Sequence, residues 1–115
     1  MDPDHIAQEA VPLKLIQLKN LGAASVNILN SIGIRYREDL ARMGSVRAYR
    51  AIRQRGIRVT HAMLYAMEAA LLDVPWQSLD PAFKQQLVNM AERIEQEERA
   101  AEAAQAAATK TRRHH

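Results

Sequence analysis

The chain has 115 residues, of which 48% are hydrophobic and 25% are charged, and its formal net charge is +3. This length accommodates one domain with a single core, and the composition is globular rather than disordered. The absence of cysteine excludes disulfide scaffolds, iron–sulfur sites and cysteine nucleophiles. The N-terminus has no signal-peptide pattern and no run approaches about 18 apolar residues, so we expect a cytoplasmic protein with no membrane partner.

The apolar residues recur with helical spacing along most of the chain. Each of the four glycines follows such a segment and is interpreted as a helix stop, whereas Thr60 and Asp80-Pro81 are interpreted as helix starts. The predicted helices cover residues 13–21, 25–32 with Ser25 as N-cap, 37–43, 45–55 and 60–73, and a last helix begins at Pro81. No segment alternates with a period of two residues, so the predicted fold class is all-α.

The apolar stripe of the last helix fades into a stretch of Ala, Glu, Gln and Arg from Glu95 to Ala108. We therefore expect a flexible segment at residues 1–11, a helical domain at 12–94, and an extended helix at 95–115 whose basic tail is disordered from Thr109. The extended helix is also a candidate for pairing with a second copy of itself. The residues proposed for that contact are Leu87, Met90, Ile94 and Ala101.

One pattern occurs twice in the first half of the chain. An apolar residue and glycine precede Ser-Val and a short helix, and Gly-Ile-Arg follows it, once from Leu21 to Arg35 and again from Met43 to Arg58. Two such units predict a compact five-helix domain of the helix-hairpin-helix or SAM-like type, with the extended C-terminal helix added. Unrelated short helices with glycine stops would produce the same pattern, so both interpretations stay open.

The first glycine turn is a candidate phosphate site. Backbone N–H groups at a glycine turn approach an anion closely, and the helix that follows points its positive end toward it. The residues proposed for this contact are Lys19, Gly22, Ala23, Ala24 and Ser25. Helix-hairpin-helix turns usually have a second glycine where this chain has Ala24, and the alternative is that Gly22 only ends a helix.

The arginines are concentrated in one segment. Residues 35–58 contain eight arginines and two acidic residues, a local charge of +6. On the predicted fourth helix Arg47, Arg50 and Arg53 are three residues apart and form a stripe, which favours salt-dependent contacts with nucleic-acid phosphates. The alternatives are a solvated face or pairing with acidic groups, among them the stretch from Glu92 to Glu102.

Other candidate residues point to no enzyme chemistry. The four histidines lack metal-ligand spacing, Glu68 is interpreted as a partner for a nearby arginine, and Trp76 as a core residue rather than a base-stacking one. No nucleophile motif, phosphate loop or dinucleotide fingerprint is present. We therefore expect no catalytic residues, no metal or other cofactor, and no small-molecule substrate.

Several motifs together resemble the C-terminal domain of the TfoX/Sxy family. They are Leu18-Lys19-Asn20-Leu21-Gly22 with Ser25, Ile32-Gly33-Ile34, Glu38-Asp39-Leu40, Met43-Gly44, Ala48-Tyr49, Leu64 to Leu71, and Trp76 with Leu79. The resemblance covers about residues 13–87 and implies a helical domain related to helix-hairpin-helix and SAM-like folds. Members of this family are bacterial regulators of natural competence that promote transcription together with the cyclic-AMP receptor protein.

The resemblance implies a regulatory context and, less directly, DNA contact. The family commonly has an α/β domain ahead of the helical one, whereas here only residues 1–11 precede it, so we expect a stand-alone relative or an excised domain. The predicted function is a non-enzymatic module of transcription regulation that binds DNA or a DNA-bound regulator. The alternative is a protein-interaction or homodimerisation module without DNA contact.

Overall fold

The structure is a computed structural model that describes residues 13–113, with side chains described as far as residue 109. The predicted flexible segment 1–11 lies outside the described residues, as do His114 and His115. Within the described range there are five α-helices and no strand, so the all-α prediction is confirmed. The helices are α1 (Ala23–Ser31), α2 (Arg37–Met43), α3 (Ser45–Gln54), α4 (His61–Leu72) and α5 (Pro81–Arg113).

The helix predicted at residues 13–21 is wrong, because only Leu15–Gln17 form a 3₁₀ turn there. The backbone is extended at Lys14 and again at Leu18, on either side of this turn. The Gln17 side chain folds back to accept a hydrogen bond from the Lys14 backbone N–H, and Asn20 has a φ of 74°. The side chain of Asn20 then bonds Val74 O at 2.8 Å and Trp76 N at 3.0 Å. This segment therefore connects to the loop after α4 instead of completing a helix.

The two copies of the repeated pattern differ at their first glycine. Gly44 ends α2 and begins α3 with φ 85° and ψ 155°, a combination that only glycine adopts without strain. Gly22 has φ −95° and ψ −176°, so it is an extended N-cap of α1 and not a helix stop. Because α1 starts at Ala23, the prediction that Ser25 caps this helix is wrong.

The core lies between α3, α4 and the first half of α5, with α1 and α2 packed on its side. The residues predicted to be buried on α3, Val46, Tyr49 and Ile52, are in this core. Asp80 starts α5 as predicted, because its carboxylate accepts a hydrogen bond from the backbone N–H of Ala82 at 2.9 Å. No helix in the described part of the chain is both long enough and apolar enough to cross a membrane.

Helix α5 extends well beyond the core. Leu87, Val88 and Ala91 are buried, Ile94 is half-buried, and every side chain described after Glu98 is exposed. The last 15 residues correspond to roughly 22 Å of helix at 1.5 Å per residue. The molecule is accordingly elongated, with extents of 68 × 36 × 25 Å. The helix continues to Arg113, although the sequence predicts disorder from Thr109.

Candidate functional site

Helix α3 carries the predicted arginine stripe, but its three arginines have different environments. Arg47 and Arg53 are exposed, whereas the side chain of Arg50 is only 9% exposed. Arg50 Nη2 lies 2.8 Å from Glu98 Oε2, and Arg50 Nη1 lies 3.6 Å from Glu95 Oε2. The guanidinium of Arg50 therefore joins α5 to α3, which is the intramolecular alternative kept open for this stripe, and Arg50 is less accessible to a partner than Arg47 and Arg53. Its contact with nucleic acid stays a prediction.

This contact changes the ionisation of Glu98. The hydrogen bond from Arg50 lowers the pKa of Glu98 below its ordinary value of 4.5 and outweighs the opposing effect of burial. Arg50 Nε is buried without a hydrogen-bond partner among the described residues. The two carboxylates therefore satisfy only one end of the guanidinium.

Three other arginines are held by intramolecular contacts. Arg37 donates to the carbonyl of Leu71 at the end of α4, and Arg55 donates to the carbonyl of Ser31 at the end of α1. Arg42 lies 3.8 Å from Asp39, whose pKa is lowered mainly by backbone hydrogen bonds from Arg35 and Tyr36. These contacts stabilise helix ends and leave less of the +6 segment available for a partner.

Four arginines of this region remain. Arg35 is exposed and lines a separate groove with Lys14 and Tyr36, and the other three form what we call the arginine surface: Arg47, Arg53 and Arg58. All three are exposed, and none has a carboxylate partner within the part of the chain that the structure describes. Arg53 and Arg58 line an open cleft of about 210 Å³ at the end of α3, and Arg47 lies on the opposite side of Arg50. Arg53 is positioned by the Tyr49 ring, whose centroid lies 5.7 Å from its guanidinium carbon.

The predicted phosphate turn is partly preserved. Gly22, Ala23 and Ala24 are exposed at the start of α1, no side chain caps this end, and an added Cβ at Gly22 would meet no atom within 4 Å. Ser25 is half-buried. Lys19 lies beside the turn, but its Nζ is 3.8 Å from the Asp73 carboxylate. Both side chains of this pair are largely exposed, so the ion pair is weak and Lys19 remains accessible.

The residues predicted for self-association do not form one continuous exposed surface. Leu87 is buried in the core and Ala101 is exposed on the projecting part of α5. Met90 is 48% exposed and, with Ile94, lines an open groove of about 400 Å³. The groove is bordered by α5 on one side and by Met43 and Val46 on the other, with Glu68 among its lining residues.

Three other side chains have contacts that the sequence does not reveal. Glu68 accepts a hydrogen bond from the hydroxyl of Ser45 at 2.7 Å, so the predicted arginine partner is wrong. Trp76 is half-buried and lies outside the core cluster, so its interpretation as a core residue is wrong. The ammonium group of Lys84 lies 5.1 Å from the Trp76 ring centroid. Lys84 belongs to no sequence motif, so only the structure shows that it lies beside the Trp76 ring. Among the described residues no group of three His, Cys, Asp or Glu side chains can hold a metal ion.

The structure is similar to two crystal structures of proteins from Listeria monocytogenes. One is an uncharacterized protein in a triclinic form, with a TM-score of 0.65 and 30% identity over 71% of this chain and 93% of that one. The other is a protein of unknown function in a tetragonal form, with a TM-score of 0.63 and 30% identity over 69% of this chain and 98% of that one. No curated protein matches the chain significantly.

The model of the TfoX C-terminal domain family matches residues 12–91. This range includes α1 to α4, the Gly22 turn and the arginine surface. It ends before Glu95 and Glu98, so the acidic partners of Arg50 lie outside the matched region. The match spans most of the chain and agrees with the motifs found in its sequence, and the chain therefore belongs to the TfoX C-terminal domain family.

Proposed function

We propose that this domain is a cytoplasmic, non-enzymatic module of transcription regulation that binds nucleic acid, alone or with a DNA-bound regulator. The observation that carries the proposal is the arginine surface, whose three exposed guanidinium groups have no carboxylate partner in the described part of the chain. Arginine is suited to phosphate because its planar fork matches two phosphate oxygens. Membership of the TfoX C-terminal domain family supports the regulatory context.

We assign the contacts to residues that, within the described part of the chain, have no carboxylate partner or remain accessible. Arg47, Arg53 and Arg58 contact the phosphates, and the open end of α1 at Gly22 to Ser25, with Lys19, supplies further contacts. Arg50 is left out of this assignment because its charge is already balanced by Glu95 and Glu98. Contacts of this kind position the protein on a phosphate backbone but do not select a base sequence.

Binding of a labelled duplex DNA at low salt, followed by fluorescence anisotropy, tests the proposal. We expect binding by the full chain and weaker binding by Arg53→Gln/Arg58→Gln. Arg93→Gln is the control, because Arg93 is exposed on α5 and has no ion pair among the described residues. Absence of binding at low salt, or equal binding by the parent and the Arg53→Gln/Arg58→Gln variant, would contradict the proposal.

A second candidate function is homodimerisation through the groove of about 400 Å³ beside Met90. The observation that favours it is that Met90 is 48% exposed at the edge of a groove lined by Phe83, Val46 and Ile94. Light scattering over a range of concentrations should then show a dimer that Met90→Glu disrupts. Leu72→Glu is the matched control because Leu72 is equally exposed but lies outside the groove. A monomer at every concentration would remove this candidate.

A further inference from the structure

A continuous row of cationic and aromatic side chains crosses α3, α4, the loop after α4 and α5. Arg53 lies over the Tyr49 ring at 5.7 Å, the Tyr49 and His61 rings are 6.2 Å apart, and the His61 and Tyr65 rings are 6.3 Å apart. Lys84 Nζ then lies 5.4 Å from the Tyr65 ring centroid and 5.1 Å from that of Trp76. We call these side chains the aromatic–cation row: Arg53, Tyr49, His61, Tyr65, Lys84 and Trp76.

The row concentrates a residue type that is scarce in this protein. The chain has one Trp, three Tyr and one Phe, and three of these five residues are in the row. Tyr49 is buried, and its ring packs under the guanidinium of Arg53. His61 is exposed, and the other members are half-buried: Tyr65, Trp76 and Lys84. Neither Arg53 nor Lys84 has a carboxylate partner within the described residues. The row therefore presents one exposed ring, His61, two half-buried rings, Tyr65 and Trp76, and two cations without a carboxylate partner among the described residues.

The row also connects the two parts of the proposed phosphate surface. At one end, Arg53 belongs to the arginine surface. At the other end, the backbone N–H of Trp76 donates to the side chain of Asn20, two residues before Gly22. Rings and cations on three helices thus connect the arginine surface to Trp76, and one hydrogen bond connects Trp76 to Asn20, close in sequence to the Gly22 turn.

Alternating rings and cations suit a single strand of nucleic acid better than a duplex. The bases of a single strand can stack on aromatic side chains while nearby cations pair with its phosphates, and this binding tolerates any sequence. In a duplex the base faces are stacked on one another, so only the phosphates and groove edges are presented. We propose that the aromatic–cation row binds single-stranded nucleic acid in preference to duplex; this inference rests on the proposed function.

The single tryptophan of the chain provides a direct measurement, because its emission reports on the Trp76 end of the row. The full chain is titrated with an oligothymidylate and with a duplex of the same length, at equal phosphate concentration and equal salt. We expect the single strand to quench Trp76 emission and to bind more tightly than the duplex by about tenfold, the order of one base–aromatic stacking contact. The duplex should leave the emission unchanged.

Variants separate the row from the rest of the surface. His61→Ala and Lys84→Gln alter side chains that are not in the core. His61→Ala should weaken single-strand binding several-fold and change duplex binding little, and Lys84→Gln should weaken single-strand binding more than duplex binding. Tyr36→Leu is the matched aromatic control, since Tyr36 is 38% exposed and lies outside the row. Circular dichroism of each variant verifies that the helices remain. Equal effects of Tyr36→Leu and His61→Ala on single-strand binding would overturn the inference.

The other outcomes are also decisive. If single strand and duplex bind equally and Trp76 emission does not change, the inference is wrong and the proposed function stands. If neither form binds at low salt, both are wrong. If polyglutamate quenches Trp76 as strongly as the oligothymidylate at equal charge, the row recognises acidic polypeptides, and the inference is wrong.

Discussion

Arg50 and Glu98 are joined by an ion pair of 2.8 Å that fixes the middle of α5 against α3. The arginine is nearly buried and the glutamate side chain is 29% exposed, so the pair lies at the edge of the core. Beyond this pair, every side chain of α5 that the structure describes is exposed. The pair therefore marks the boundary between the docked part of the helix and its projecting part.

Replacing Arg50 with alanine should destabilise the fold. We expect a loss of roughly 2 kcal/mol in the free energy of unfolding, between the value for an exposed pair and that for a fully buried one, because two carboxylates lose their partner. Urea unfolding measures the change. Arg93→Ala is the matched control and should be nearly neutral. A neutral Arg50→Ala would show that this contact does not stabilise α5.

The pH dependence of stability should report on Glu98. The folded-state pKa of Glu98 is lowered, chiefly by the hydrogen bond from Arg50, so the stabilisation is complete above about 4.5 and is lost as the pH falls below that value. Asp39 acts in the same direction at lower pH. Glu98→Gln should therefore make the free energy of unfolding less dependent on pH in this acidic range. An unchanged pH profile in Glu98→Gln would contradict the assignment.

Asn20 should be sensitive to substitution for two separable reasons. Asn20→Ala removes two hydrogen bonds, to Val74 and Trp76, and puts at φ 74° a residue that tolerates a positive φ less well than asparagine, so we expect a loss of about 2–3 kcal/mol. Asn20→Gly relieves the backbone strain and should recover about 1 kcal/mol of this loss. Unfolding monitored by Trp76 fluorescence measures both variants. Equal losses in the two would show that backbone conformation plays no part.

The first glycines of the two repeated units should differ in how much stability an alanine substitution costs. Gly44→Ala forces a Cβ residue into a glycine-only conformation between α2 and α3, and we expect a loss of about 1–3 kcal/mol. Gly22→Ala keeps an ordinary extended conformation with free space around the new Cβ, so its effect should be within about 0.5 kcal/mol. Thermal unfolding of the two variants tests the difference, and similar losses would contradict it.

Much of the fold follows from local signals in the sequence. The bounds of α2 are predicted at both ends, and those of α3 and α4 differ from prediction by no more than one residue at either end, because Gly44, Gly56 and Asp73 stop these helices. The failure at residues 13–21 has a tertiary cause. Asn20 has its hydrogen-bond partners 54 and 56 residues further along the chain, and no local pattern contains that information.

The candidate site was less predictable than the fold. Helical spacing places Arg47, Arg50 and Arg53 in one stripe, but it does not show that α5 crosses α3 at Arg50 and neutralises it. The aromatic–cation row combines residues from three helices and a loop, so most of its members are far apart in sequence. Helical spacing brings together only the pairs four residues apart, which are Tyr49 with Arg53 and His61 with Tyr65.

The salt dependence of duplex DNA binding tests the central claim most directly. If the arginine surface contacts phosphates, log Kobs should fall linearly with log salt, and Arg53→Gln/Arg58→Gln should lower that slope by roughly 2, about 0.9 for each phosphate that an arginine neutralises. Arg93→Gln should leave the slope unchanged. A slope that is the same in the parent and in Arg53→Gln/Arg58→Gln would contradict the claim that these arginines bind nucleic-acid phosphates.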